Sequence, residues 1–230
     1  MAEPINYTNR IIGMILSYPT AELIVHLDEM QSILISEDNI EDKQLIELNL
    51  LFSYLKATDL LQLQEEYVAL FDRTRLVSLH LFEHIWGESR RRGQAMADLE
   101  GMYQENGFTS SRNELPDYLP LFLEFLSTVS TEESDKLLGE VVDIFAILKK
   151  RLNEKESLYA CLFSVLMTLT QKQPNPDVVQ KALAFSKNVD NKKSLDEEWE
   201  DKPVMFGGPD PASNCASCKL HQPVKTEQGE

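Results

Sequence analysis

Apolar side chains return every third or fourth residue through most of this chain, and that spacing constrains its fold more than any other feature. Leu45, Leu48, Phe52 and Leu55 make one stripe, Leu60, Leu63, Tyr67 and Leu70 a second, and Leu137, Val141, Ile144 and Leu148 a third. Each set falls on one side of a helix, which must then bury that side against a neighbour. Leu158, Leu162, Val165 and Leu169 predict a further helix, and Ile12, Ile15 and Leu16, then Leu23, Leu27 and Met30, predict two near the start. No convincing alternation of strand type accompanies them. The expected fold is all-α, a single compact multi-helix domain.

Boundary residues agree with the stripes. Tyr18-Pro19 breaks the first helix, and Thr20 with Glu22 in the next turn opens the second. Ser130 with Glu133 fits a capping box. Asn175, Pro176 and Asp177 place a cap, a first-turn proline and a dipole-favoured carboxylate in order, opening a helix expected to reach about Asn188. About eight or nine helices with short connections result, packed antiparallel or ridge into groove. The helical domain is expected over residues 1–189. Residues 190–230 are acidic from Asp196 to Asp201 and punctuated by Gly207, Gly208, Pro209 and Pro211, which predicts a mobile C-terminal tail. Its Val204-Met205-Phe206 patch is either a docking point or part of a loose linker.

With 230 residues, 43% hydrophobic and 26% charged, the chain has the balance of a folded globular protein. A net charge of −16, from 38 acidic and 22 basic side chains, repels phosphate backbones and anionic lipid, so nucleic acid is not an expected partner. The acidity serves either solubility or the steering of a basic client. Three cysteines do not make a disulfide framework, and MAEPINYTNR lacks a basic region followed by an apolar one. No apolar run is long enough to cross a membrane. The expected location is the cytoplasm, without membrane insertion.

Four groups of residues carry possible chemistry. Cys215 and Cys218, with His221 beyond them, have spacing suited to a soft metal, but a closed zinc site needs four ligands; zinc or iron–sulfur contact, a redox pair and an unliganded thiol pair all remain open. His80, His84 and Glu88 are one turn apart and share a face if the segment is helical, which permits a metal pair, a buried histidine or a partner contact. Arg73, Arg75, Arg90, Arg91 and Arg92, beside Asp72, Glu83 and Glu88, form either an internal ion-pair network or a contact for a client or a phosphate-bearing cofactor. In Glu114-Leu115-Pro116-Asp117-Tyr118-Leu119-Pro120, Pro116 pushes Leu115 out of the helical region, Asp117 can cap, and Pro120 fits only a first turn. That stretch is a rigid entry into the amphipathic helix Leu121–Leu126, as punctuation or as the lip of a peptide site. No glycine-rich phosphate loop, serine elbow or paired-carboxylate cleft is recognisable, so no catalytic residues are expected.

Residues Tyr67–Arg75, then Ser78–His84 and Gly87–Met96, resemble the signature of the NarJ-type nitrate reductase assembly chaperones, and Glu114–Leu126 resembles that family's second signature. The resemblance implies the all-helical fold of redox-enzyme maturation chaperones and a non-enzymatic, cytoplasmic protein without a cofactor of its own. It implies a partner, the apo catalytic (alpha) subunit of respiratory nitrate reductase, held competent for molybdenum cofactor and iron–sulfur cluster insertion before membrane docking. The family binds the client's N-terminal segment as a helix in an acidic, apolar groove. Carried across, this assigns the groove to Leu115, Pro116, Asp117, Tyr118, Leu119 and Glu124, with Glu83, His84 and Glu88 nearby. The sequence departs from the family pattern at Tyr118, where histidine commonly follows the aspartate; a phenol does not titrate near neutrality. Two other readings stand beside this one: a metal or iron–sulfur carrier working through Cys215 and Cys218, and an Arg90–Arg92 site for the cofactor's phosphate.

Overall fold

The computed structural model describes residues 7–37, 40–86, 90–109 and 114–190. Among these residues the order is α1 (Tyr7–Ile15), α2 (Ala21–Val25), α3 (Leu27–Ser36), α4 (Asp42–Ala57), α5 (Leu60–Tyr67), α6 (Glu83–Trp86), α7 (Arg90–Glu105), α8 (Leu119–Leu126), α9 (Thr131–Glu154), α10 (Ala160–Thr168) and α11 (Pro176–Asp190). The chain is all-α. Eleven segments replace the expected eight or nine because His26 divides α2 from α3 and α6 is a separate single turn. The predicted tail beyond Asp190, with Val204–Phe206, Cys215, Cys218 and His221, lies outside the described residues, as does Glu88.

The caps form where the sequence places them. Thr20 accepts from the Leu23 N–H, Ser130 Oγ from the Glu133 N–H, and Asn175 Oδ1 from the Asp177 N–H at 3.0 Å. Asn175 is itself fixed by its own N–H, which donates to Asp143 Oδ1 at 2.6 Å. The stripes then bury as a shared core in which Phe52, Phe125, Phe145 and Phe163 are among the largest fully enclosed side chains. Helix α9 lies along α10, and α1 lies along α8. The α1–α8 approach depends on a missing side chain: a Cβ on Gly13 would stand 3.0 Å from the Pro120 carbonyl oxygen and 3.2 Å from Leu123 Cβ.

Two segments depart from the expected helices. The stripe that ends on Leu70 assumes a regular helix, but after Tyr67 the chain enters a π-helical turn, Val68–Asp72, closed by the Arg73 N–H on Val68 O at 3.2 Å. The wider turn rotates Phe71 into the core and leaves Leu70 half-buried. The stripe that begins on Leu158 starts one turn early. Helix α9 closes with the Ser157 N–H on Leu152 O at 2.9 Å and Glu156 in the left-handed region (φ 55), so Leu158 sits in the turn and is 38% exposed.

Candidate functional site: an acid-rimmed groove held by a buried carboxylate

Pro116 and Pro120 keep residues 114–118 out of the helix, and the extended backbone finds a partner in residues 78–81. Leu119 N–H donates to Leu79 O at 2.8 Å, Leu81 N–H donates to Asp117 O at 2.9 Å, and His80 pairs with Tyr118. His80 therefore stands in an extended bridge, and the predicted single helix through His80, His84 and Glu88 does not form; α6 begins only at Glu83. The bridge satisfies backbone groups that would otherwise be buried unpaired.

Beneath the bridge lies Asp117, with no exposed surface. Its Oδ1 is 3.1 Å from His80 Nδ1, its Oδ2 accepts from the Phe82 N–H at 3.2 Å, and Arg92 Nη2 approaches to 3.6 Å. Arg92 Nη1 also reaches Glu83 Oε1 at 3.3 Å. A buried carboxylate is tolerated only with its charge compensated and its lone pairs occupied, and both conditions hold here. The hydrogen bond to Asp117 raises the His80 pKa, against the opposing effect of burial. The loop is pinned twice more. Tyr103 Oη donates to Pro116 O at 2.8 Å, and Tyr67 Oη donates to Leu16 O at 2.9 Å while lying 3.2 Å from Tyr118 Oη.

His84 faces elsewhere. Its Nε2 donates to Ser78 O at 2.8 Å, and its Nδ1 is 3.3 Å from Arg151 Nη1. Burial, then the Arg151 charge, pulls its pKa down to about 4, so the ring is neutral. His84 ties α6 to α9, away from the hollows beside α1. Among the described residues no cluster of three or more metal-ligating side chains exists. Of the predicted arginine network, the structure draws Arg92 into the Asp117 node; Asp72, Arg73 and Arg75 lie in the turns after α5, and the side chains of Arg90 and Arg91 are outside the described residues.

The groove itself runs between α1 and the entry to α8. Two adjoining hollows of about 200 and 400 Å³ share Met14, Ser17, Glu114 and Tyr118. One continues over Gly13, Pro120 and Leu121 to Glu124, the other over Leu23 and Met30 to Glu22 and His26. The floor is apolar, and the carboxylates of Glu22, Glu114 and Glu124 stand at its edges. Leu115, next to Glu114 in the chain, is 46% exposed. Of the residues assigned to the groove, Tyr118 and Glu124 line it, while Asp117 and Leu119 have no surface to offer a ligand and act by holding the lip. The opposite wall, Arg10, Gly13 and Met14 on α1 with Ser17 just beyond it, has one local signal in the sequence, a glycine inside an apolar helix.

A family model described as the nitrate reductase delta subunit matches residues 39–164. The chain belongs to that family. Proteins similar to it include the nitrate reductase molybdenum cofactor assembly chaperone NarJ of Escherichia coli, 38% identical over 85% of this chain and 83% of that protein. The probable chaperone NarW of the same organism is 37% identical over 93% of this chain and 89% of NarW. A probable NarJ of Bacillus subtilis is 31% identical over 68% of this chain and 84% of its own length. The fold is also that of a crystal structure described as a putative redox enzyme maturation protein from Archaeoglobus fulgidus (TM-score 0.52, 22% identity, 70% of this chain and 90% of that one). The chain is a maturation chaperone of this family and not an enzyme. Among the described residues no helix is long and apolar enough to cross a membrane.

Proposed function

We propose that this protein binds the apo catalytic (alpha) subunit of a respiratory nitrate reductase in the cytoplasm. It takes the subunit's N-terminal segment as a helix and keeps the subunit competent for molybdenum cofactor and iron–sulfur cluster insertion before membrane docking. The acid-rimmed apolar groove between α1 and α8 carries this reading. An amphipathic client helix lays its apolar face on Met14, Leu23 and Tyr118, and its basic residues meet Glu22, Glu114 and Glu124. The net charge of −16 draws such a segment in.

The test is calorimetric titration with a peptide copying the N-terminal helix of the catalytic subunit, at low and at high salt. Saturable binding that weakens with salt is expected. The double charge reversal Glu114→Lys with Glu124→Lys, both on exposed side chains, lowers affinity at least about tenfold at low salt, or about 1.4 kcal/mol. No saturable binding at either salt overturns the groove. In cells, loss of the chaperone is expected to leave a catalytic subunit lacking cofactor and cluster, read by metal analysis and electron paramagnetic resonance of the isolated subunit.

A further inference from the structure

The groove does not end at Tyr18. The hollow of about 400 Å³ shares Tyr18 with a second of about 520 Å³ on the outer face of α5, and that one shares Glu66 and Ala69 with a third of about 590 Å³. Tyr18 leans edge-on against Tyr67, with ring centroids 5.6 Å apart, and forms the saddle between the parts. The last chamber is walled by Tyr54, Tyr67, Leu70, Leu158 and Tyr159, with the Glu66 carboxylate at its mouth, held by the Tyr54 hydroxyl and by Gln62 Nε2 at 2.9 Å.

Both departures from regular helix meet in this chamber. The π-helical turn supplies Ala69 and Leu70, and the left-handed Glu156 turns Ser157 and Leu158 toward it. A π-turn and a left-handed non-glycine residue each carry a conformational cost, and such features gather at binding sites. Leu61, at 63% exposed, and Leu158, at 38%, leave apolar surface open along the path.

We propose that the groove is the first part of one continuous track, and that the Tyr54–Tyr159 chamber receives the continuation of the same client segment, an apolar side chain flanked by a basic one. The inference rests on the groove being the client site. Three hollows in series, joined by shared wall residues, suit a peptide and not a compact ligand. Glu65, Glu66 and Glu156 along it exceed Arg73 and Lys155, and Tyr faces beside a carboxylate suit an ammonium or guanidinium group. A second copy of this chain, also at −16, would be repelled.

The experiment titrates the full-length protein with two peptides from the catalytic subunit's N-terminus. One has about 16 residues, about 24 Å as a helix, and the other about 28. The longer peptide is expected to bind at least about tenfold more tightly. Leu61→Asp and Leu158→Asp, on side chains already exposed, are expected to abolish that gain and leave the affinity for the short peptide within about twofold of wild type. Equal affinities of the wild type for the two peptides, or a gain that survives both substitutions, overturn the track while the groove stands. Absence of binding by either peptide overturns both.

Discussion

A carboxylate without exposed surface needs its charge met inside the protein, and Asp117 meets its own through His80, the Phe82 N–H and Arg92. Asp117→Asn keeps the shape and removes the charge, so it is expected to cost about 2–3 kcal/mol in denaturant unfolding. The same variant lets the His80 pKa fall from its raised value, which NMR titration of the imidazole reads directly. The two histidines of this region have opposite signs. His80 is raised, so its stabilisation is fully present below the ordinary value of 6.5 and is lost as pH rises through the folded value. His84 is depressed, so the unfolded chain takes a proton that the fold refuses, and stability declines as pH falls from 6.5 to about 4. That decline is worth about 3 kcal/mol. His84→Gln, which can still donate to Ser78 O, is expected to flatten the stability profile across that window, measured by urea unfolding at stepped pH.

At the scale of elements, the chain's own spacing makes most helices legible, since α4, α9 and the caps on Thr20, Ser130 and Asn175 need only local chemistry. The π-turn is not legible, because one extra residue in a turn leaves the apolar composition unchanged and only shifts the buried position from Leu70 to Phe71. The His80 bridge is likewise hidden: its backbone partner lies at Tyr118, and nothing near His80 in sequence announces it. Pro116 and Pro120 announce the loop, whereas the cation that meets Asp117 comes from α7 with no fixed spacing to find it by. Helix contact makes its own prediction. Gly13→Ala drives a methyl to 3.0 Å from the Pro120 carbonyl and so lifts α1 from α8. It is expected to cost about 1–3 kcal/mol and to weaken client-peptide binding, read by thermal unfolding and by titration. Ser130→Ala, which removes the α9 cap, costs about 1 kcal/mol and leaves peptide binding unchanged.

Across the whole molecule, charge and fold class are legible from composition and pattern, while the groove is only half legible, because the α1 wall lies far along the chain from the proline-marked entry to α8. Salt is the global test: the slope of affinity against ionic strength should shrink for the Glu114→Lys, Glu124→Lys protein and not for Leu158→Asp, since one change reverses two carboxylates and the other adds a carboxylate to an apolar wall. Distance along the chain has a further effect. The first helix is fixed in place late, by α8 and by contacts such as Asn9 Nδ2 on Ser134 Oγ, 125 residues away. During synthesis the α1 wall leaves the ribosome long before its opposite wall exists, so an unfinished chaperone has no groove with which to seize a neighbouring nascent chain. The groove exists only once α8 has been made, and the order of translation itself delays the first partnership.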